Sequence, residues 1–137
     1  MPLTPEDMLA IHELYARYNH AVDSGDADAW AATFTADAEF RTNLDTSFKG
    51  TAELRAFATR LATRLDARHW NNNLIVEPAP GGAKAVCYLL LVRPGRPGVL
   101  AEAGATGIYR DELVKGIDGW RFKSRYATIE GEVPMKR

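Results

Sequence analysis

The second half of the chain is a series of long apolar segments separated by short turns, and this pattern restricts the possible folds most strongly. The segments are rich in Val, Ile, Leu, Tyr and Trp, residues common in strands. Gly81-Gly82, residues 94–98 and Ile117-Asp118-Gly119 separate them, and connections this short join antiparallel neighbours. The predicted strands are residues 67–78, 84–93, 100–115 and 120–126. Together they predict an antiparallel meander.

The first half carries helical signals instead. Thr4-Pro5-Glu6-Asp7 is typical of a helix start, with Thr4 as the N-cap and acidic residues in the first turn. Apolar residues then recur at helical spacing as far as Val22, which predicts a helix of about 18 residues. The other predicted elements are a short helix through Trp30 and Phe34, a strand at 38–42, a loop at 43–50, a helix from Thr51 through Leu65 and a frayed tail at 131–137.

Helices followed by a strand meander define an α+β fold, and 137 residues is the size of one domain. We therefore predict a single domain over residues 1–137. Its three N-terminal helices pack on a strongly curved, mostly antiparallel sheet. Such a sheet, wrapped over the long first helix, forms a cone that encloses a pocket.

The composition excludes several function classes. The chain is 46% hydrophobic and 26% charged, with a formal net charge of −1, as in soluble globular proteins. A nearly neutral chain without a long basic run argues against nucleic acid or a membrane as the main partner. The single cysteine, Cys87, allows no internal disulfide, and no Cys/His cluster suggests zinc. With no recognisable signal peptide or membrane span, we expect a cytoplasmic protein without metal or cofactor.

The strand at residues 67–78 carries polar side chains where apolar ones are expected. Because side chains alternate between faces, His69, Asn71, Asn73 and Ile75 share one face and Trp70, Asn72, Leu74 and Val76 share the other. A histidine and two amides on one face cost stability unless water or hydrogen-bond partners reach them. Two interpretations stay open: this face lines a pocket with a polar end, or it is an exposed strand end.

Several segments resemble the NTF2-like superfamily, and its SnoaL-like branch in particular. These segments are Ile11–Tyr15, Ala21–Asp26, Ala29-Trp30, Phe34–Ala38, Phe48–Leu54, His69 with Asn73, Gly107–Asp111 and Asp118–Phe122. The resemblance covers nearly the whole chain and implies the cone-shaped fold with its pocket. It is a weaker guide to function, because the fold hosts isomerases, dehydratases, hydrolases, polyketide cyclases and non-catalytic subunits.

Within that superfamily, the chain resembles scytalone dehydratase and the hexachlorocyclohexane dehydrochlorinase at two positions. Those members carry an Asp at the end of the first helix and a His at the start of the strand after the third helix. This chain has Asp23 and His69 there. The resemblance implies a catalytic dyad in which His69 removes a proton from carbon and Asp23 orients its ring. Val22 and Phe40 stand where the dehydratase has tyrosines, so its full set is not reproduced.

Other residues are candidates for the pocket wall. Tyr18 stands where ketosteroid isomerases carry a tyrosine. The predicted substrate-binding residues are Tyr18, Trp30, Phe40, Asn71, Asn73, Tyr88 and Arg110. Tyr109 and Arg110 point to opposite faces of their strand, so at most one of them enters the pocket. Arg110 inside it would favour an anionic substrate.

These observations predict a cofactor-independent lyase or isomerase that abstracts a proton, by dehydration or elimination chemistry, from a small, apolar, ring-bearing molecule. The alternatives are a non-catalytic ligand-binding protein, a structural subunit like the small subunit of ring-hydroxylating dioxygenases, and a polyketide cyclase or epoxide hydrolase. The sheet face that carries Trp70, Leu74 and Val76 is apolar enough to pair with a copy of itself. We therefore expect a homo-oligomer, either a dimer or a trimer.

Overall fold

The computed structural model describes residues 2–137 and confirms the α+β class. Its elements are α1 Pro5–Ser24, α2 Ala27–Ala31, β1 Phe34–Thr42, β2 Ser47–Lys49, α3 Thr51–Arg64, β3 Arg68–Ala79, β4 Gly82–Arg93, β5 Glu102–Gly116 and β6 Gly119–Gly131. The strands form one sheet in the order β2-β1-β6-β5-β4-β3. The β1–β6 pair is parallel and the other pairs are antiparallel. Within the described residues, no helix is both long enough and apolar enough to cross a membrane.

Two boundaries differ from the predicted elements. Phe34 was predicted in the second helix but is the first residue of β1, because α2 ends at Ala31. The short strand β2 lies within the predicted loop at 43–50, where its three residues pair with β1. A three-residue edge strand of this kind is too short for a period-2 pattern to reveal.

The long helix α1 is delimited by the residues that its sequence indicates. The Thr4 hydroxyl accepts a hydrogen bond from the Asp7 N–H, and the Asp7 carboxylate accepts one from the Thr4 N–H, both at 3.0 Å. Gly25 ends the helix with φ 76°, in the left-handed region that glycine adopts without strain. The buried face of α1 includes Ile11, Tyr18 and Val22, which pack into the concave side of the sheet.

Asp7 also ties the start of α1 to the β5–β6 hairpin. Its Oδ1 accepts hydrogen bonds from Lys115 Nζ at 2.9 Å and from Trp120 Nε1 at 3.1 Å. The backbone N–H of Thr4 and these two donors hold the pKa of the Asp7 carboxyl well below its usual range. The ionised carboxylate therefore stabilises the folded state more than the unfolded state.

Replacing Asp7 with Asn should lower the melting temperature by a few degrees at neutral pH. Because the pKa is depressed in the folded state, the carboxylate's contribution is present above the unfolded value of about 3.9 and is lost as pH falls below it. The difference between wild type and Asp7→Asn should therefore shrink toward low pH. Thermal unfolding followed by circular dichroism from pH 7 to pH 3 measures it. A difference that stays constant across this range would contradict the role of the charge.

An extra residue in β3 changes which side chains face the core. Between Asn72 and Ile75, three steps along β3 match two steps along β4. Asn73 has φ 55°, a left-handed conformation that asparagine tolerates better than most residues and that is typical of a bulge. Beyond this bulge, Leu74 and Val76 pack against the core and Ile75 is exposed. The predicted alternation is therefore wrong after the bulge.

The predicted frayed tail is also wrong. Residues 132–137, here called the C-terminal strap, dock across the open end of the cone. Arg93 Nη1 donates to the Met135 carbonyl at 2.9 Å. A Cβ at Gly104 would lie 2.5 Å from Pro134 Cγ, so only glycine lets β5 and the strap approach this closely.

Candidate active site

The end of α1 and the start of β3 lie side by side and bring Asp23 and His69 together. His69 Nδ1 lies 2.6 Å from Asp23 Oδ1, a short hydrogen bond. The backbone N–H of His69 donates to the same carboxylate, at 3.2 Å from Oδ1 and 3.1 Å from Oδ2. Both the ring and the main chain of His69 therefore hold the Asp23 carboxylate.

The position of β3 explains this arrangement. It is an edge strand, so the His69 N–H points away from β4 and needs another acceptor. Asp23 supplies that acceptor from the C-terminal turn of α1, where the helix dipole disfavours a negative charge. Hydrogen bonds from His69 offset this cost. The carboxylate is thus held in place for a local structural reason as well as by its contact with the ring.

This geometry fixes the tautomer of the histidine. An ionised Asp23 accepts the Nδ1 proton, which leaves Nε2 of the neutral ring with a free lone pair. The His69 side chain is 9% exposed and is largely shielded from bulk water, whereas the Asp23 side chain is 19% exposed and is partly in contact with it. His69 borders the surface groove between α1 and β3 and is also part of the wall of a cavity that opens to solvent. The arrangement suits a general base that acts on a molecule inside that cavity.

The cavity has a volume of about 280 Å³ and lies between the helices and the concave face of the sheet. The helices contribute side chains such as Tyr18, Trp30 and Phe57. The sheet contributes Phe40 and Tyr109 among others. Within the described part of the chain, no Asp, Glu, Lys or Arg side chain lines it. The cavity is therefore shaped for a neutral, mostly apolar molecule with the size of a small ring system.

Two short segments form the rim of the cavity. Leu44 and Thr46 come from the turn between β1 and β2, and Val133 and Met135 come from the C-terminal strap. Leu44 and Met135 are 56% and 41% exposed. The apolar rim borders solvent and is well placed to contact any part of a ligand that extends beyond the cavity.

Tyr109 is the member of the Tyr109–Arg110 pair that faces the cavity. It is 3% exposed, whereas Arg110 is exposed on the convex face of the sheet. Burial, followed by the neighbouring Tyr18, raises the pKa of the Tyr109 hydroxyl well above its usual value. Tyr109 therefore stays protonated and able to donate a hydrogen bond at any physiological pH.

The sequence comparisons support this architecture. The profile of the SnoaL-like domain family matches residues 4–126, which is most of the chain. The chain belongs to the SnoaL-like domain family. No curated protein sequence matches this SnoaL-like chain.

Solved structures agree with the family assignment. A protein of unknown function with a cystatin-like fold from Nostoc punctiforme is 26% identical; the match covers 98% of each chain with a TM-score of 0.85. Aln2 from a Streptomyces species is 29% identical; the match covers 96% of this chain and 94% of that one, with a TM-score of 0.79. An NTF2-like protein from Novosphingobium aromaticivorans is 25% identical; the match covers 90% of this chain and 82% of that one, with a TM-score of 0.78. The NTF2-like fold predicted for this SnoaL-like chain is confirmed.

Of the predicted substrate-binding residues, three line the cavity of this SnoaL-like domain. Tyr18, Trp30 and Phe40 are each at most 5% exposed and contact the same space as His69. The structure thus brings His69 and three predicted wall residues together around one cavity, and Asp23 is bonded to the His69 ring without lining the cavity itself.

The two asparagines lie elsewhere. Asn71 and Asn73 line a separate surface groove of about 400 Å³ between α1 and β3. Asn71 Oδ1 accepts a hydrogen bond from Asn19 Nδ2 at 2.8 Å, which links β3 to α1 one helical turn before Asp23. Asn73 forms the bulge. Neither amide lines the cavity.

Tyr88 and Arg110 lie on the convex face of the sheet. Tyr88 is 52% exposed and is directly opposite Ile108 of β5. Arg110 borders a shallow depression on that face together with Lys84 and Glu112. The structure therefore does not bring these two predicted residues to the cavity.

Sequence reasoning left the choice between Tyr109 and Arg110 open and included only Arg110 among the wall residues, and it did not single out the strap residues Val133 and Met135. The choice between Tyr109 and Arg110 depends on the register of β5, and an alternating pattern alone does not fix which face is buried. The strap lacks a periodic pattern. Across residues 2–137, no cluster of three or more His, Cys, Asp or Glu side chains is arranged to hold a metal ion.

Proposed function

We propose that this protein is a cofactor-independent lyase or isomerase that removes a proton from carbon in a small, neutral, ring-bearing molecule. One observation carries this proposal. His69 Nδ1 is bonded to Asp23 at 2.6 Å, so Nε2 is the free basic nitrogen, and His69 lines a cavity without charged side chains. Such a site has one basic side chain and no charged side chain in the cavity wall, which suits acid–base chemistry on an apolar substrate.

The proposed reaction begins with a proton transfer. His69 Nε2 accepts a proton from the carbon next to a carbonyl group, and the electron pair of the broken C–H bond forms a C=C bond while the oxygen becomes negative. Asp23 stabilises the resulting imidazolium through Nδ1–H. In an isomerisation, His69 returns the proton to another carbon. In a dehydration, it delivers the proton to a departing hydroxyl group, and the electrons return from the oxygen to release water.

The cavity wall provides few groups to orient such a substrate. Apolar side chains surround most of it, and we assign orientation of the carbonyl to the Tyr18 hydroxyl instead of Asn71 or Asn73, which lie outside. A buried hydrogen bond from a tyrosine to a developing oxyanion stabilises the transition state more than the ground state. Apolar rings would bind through their buried area.

Deuterium exchange tests the proposal without knowledge of the natural substrate. A panel of cyclic ketones and enones, including tetralones and cyclohexenones with and without a β-hydroxyl group, is incubated with the protein in D₂O. Proton NMR then follows loss of the α-proton signal and any elimination product. We expect exchange of at least one ring ketone to depend on protein and to vanish in the His69→Gln variant. Equal exchange by wild type and variant across the panel would contradict the proposal.

Polyketide cyclisation is the second candidate function, because it uses the same first step. After His69 removes a proton from carbon, the carbanion attacks a second carbonyl carbon of the same molecule. The π electrons of that C=O bond move to its oxygen, and the resulting alkoxide takes the proton back from His69. The apolar cavity with one base favours this alternative over epoxide hydrolysis, which needs an acid and an activated water. Products with a new carbon–carbon bond, identified by mass spectrometry and NMR, would distinguish cyclisation from isomerisation.

The convex face of the sheet supports the alternative that the protein also, or only, binds a partner. Trp70, Ile75 and Tyr88 are 48%, 58% and 52% exposed, and they lie on neighbouring strands of that face. Beside them, Lys84 is directly opposite Glu112 of β5. An apolar patch next to balanced charges suits contact with a second copy of the same surface. We propose that this face, which retains Trp70 but not Leu74 or Val76, forms a homo-oligomer.

Replacing Tyr88 with Glu should dissociate that oligomer. The new charge would be buried without a partner at the centre of the apolar patch. Ile117→Glu is the matched control, since Ile117 is fully exposed in the β5–β6 turn. Light scattering coupled to gel filtration measures the mass of each variant. A wild-type protein that is monomeric at tens of micromolar, or an oligomer unaffected by Tyr88→Glu, would contradict this interface.

A further inference from the structure

The layer directly below the cavity contains a buried arginine that the proposed reaction does not use. Arg125 on β6 is 1% exposed, and its guanidinium carbon lies 3.7 Å from the centre of the Tyr109 ring and 4.3 Å from the centre of the Tyr18 ring. Both tyrosines line the cavity. The Arg125 guanidinium is therefore in contact with the rings of Tyr18 and Tyr109. The part of the cavity wall that these two rings form is here called the cavity floor.

Strand register places this arginine one layer below the floor. Tyr109 is opposite Ala127, which also lines the cavity, and Asp111 is opposite Arg125. Asp111 follows Tyr109 by two residues on the same face of β5. The pair of Tyr109 and Ala127 therefore borders the cavity, and the ion pair of Asp111 and Arg125 lies in the next layer, farther from the cavity.

Arg125 is held there by one carboxylate. Nε donates to Asp111 Oδ1 at 2.7 Å and Nη2 donates to Asp111 Oδ2 at 2.8 Å, while the Tyr15 hydroxyl donates to the same carboxylate. Both charged side chains are 0% exposed. Nη1 has no hydrogen-bond partner within the described chain. A buried donor without an acceptor costs stability, so a purely structural ion pair does not explain this arrangement fully.

A cation on the face of a phenol ring has a chemical effect on the hydroxyl group. It attracts electron density from the ring, which makes the O–H a stronger hydrogen-bond donor and stabilises negative charge near the oxygen. Arg125 lowers the pKa of Tyr109 while burial raises it, and burial is the larger effect. The hydroxyl thus stays protonated but is polarised by the cation below it.

We propose that Tyr18 and Tyr109 together bind the oxyanion of the reacting substrate and that Arg125, fixed by Asp111, is a positioning residue that strengthens their donation. The substrate class follows from this pair: an enolisable ring ketone or enone whose carbonyl oxygen lies on the floor of the cavity. Its acidic C–H then faces His69. This substrate class rests on the proposed function, but binding of an oxyanion by the two tyrosines does not depend on catalysis.

Binding of an unreactive phenol tests the pair directly. 4-Nitrophenol presents an oxyanion when ionised, and its ionised form has a distinct absorbance band. 4-Nitrotoluene has nearly the same shape but no oxygen to bind at that position. Both probes are titrated into the His69→Gln variant, so that His69 cannot contribute a charge. We expect the protein to bind 4-nitrophenol as the phenolate at a pH where the free probe is mostly neutral.

Tyr18→Phe and Tyr109→Phe should each weaken phenolate binding by about 10- to 100-fold, as expected for one charge-assisted hydrogen bond. Binding of 4-nitrotoluene should change less than about twofold, because the apolar walls stay intact. Tyr88→Phe is the matched control, since Tyr88 lies on the convex face. The proposal is overturned if both probes bind equally, if neither binds, or if the two tyrosine variants retain wild-type affinity for the phenolate.

The role of Arg125 requires a variant that does not leave a buried charge. Arg125→Met combined with Asp111→Leu removes both charges and keeps the volume, a replacement that proteins often tolerate. When circular dichroism shows that this double variant is folded, phenolate affinity should fall by about tenfold although both tyrosines remain. Arg125→Lys provides a second test if the double variant does not fold, because it keeps the charge but loses the planar stacking. Unchanged phenolate affinity in either folded variant would overturn the role of Arg125.

These outcomes separate the two proposals. Protein that binds phenolate through the two tyrosines but exchanges no ketone proton supports the oxyanion site and contradicts the proposed reaction. Protein that exchanges ketone protons with unaltered rates in both tyrosine variants supports the reaction and contradicts the oxyanion site.

Discussion

Replacing His69 with Gln should lower kcat/KM for the ring substrate identified by deuterium exchange by about 100- to 10,000-fold, the usual contribution of general acid–base catalysis. Gln has a similar length and lacks a group that can accept and return a proton near neutral pH. KM should change little, because the apolar walls that hold the ring are untouched. Steady-state rates and the rate of deuterium exchange both measure the loss.

The chain provides its own control for this experiment. His12 is an exposed histidine on α1 that does not line the cavity, so His12→Gln should keep wild-type rates. A His69→Gln protein with activity within about threefold of wild type would exclude His69 as the base. The search for a function would then turn to the convex face and its partner.

Replacing Asp23 with Asn should have the second-largest effect, also about 100- to 10,000-fold in kcat. The amide carries no negative charge to stabilise the imidazolium, and its NH₂ group can donate to Nδ1, which the carboxylate at this position cannot do. The neutral ring can then carry its proton on Nε2. In that tautomer Nε2 has no free lone pair, so it cannot act as the proposed base.

The tautomer of the His69 ring can be measured directly, and this measurement distinguishes loss of the Asp23 hydrogen bond from loss of structure. Nitrogen NMR of labelled histidine should show the Nδ1-protonated form in wild type and a mixture in Asp23→Asn. Asp28→Asn is the matched control, because Asp28 pairs with Arg55 on the surface and is 81% exposed. A folded Asp23→Asn protein with wild-type kcat would mean that Asp23 only supports the edge of β3.

Much of the fold was predictable because local signals agree with it. The capping residues at Thr4 and Asp7 and the apolar period up to Val22 define α1, and the turn residues define the hairpins. The bulge at Asn73 was not predictable, because a single residue in a left-handed conformation leaves no trace in hydrophobic periodicity. The docked strap was not predictable either, since its hydrogen bonds are made to distant segments.

The candidate site shows a similar division. Asp23 and His69 were found through the family resemblance and the unfavourable position of an acid at a helix end, and the structure places them in contact. Asn73 forms the bulge itself, and the Asn71 side-chain oxygen accepts a hydrogen bond from Asn19. Tyr88 was misplaced because both faces of β4 are apolar, so periodicity could not distinguish the cavity side from the convex side.

The rim formed by the β1–β2 turn and the C-terminal strap is the part of the cavity wall that can vary most easily during evolution. Its cavity-lining residues Leu44, Thr46, Val133 and Met135 lie outside the fully buried core. The base and its carboxylate, in contrast, are fixed by α1 and β3. Selection, or a laboratory library restricted to these two short segments, can therefore change which molecule the cavity accepts while the contact between Asp23 and His69 is kept.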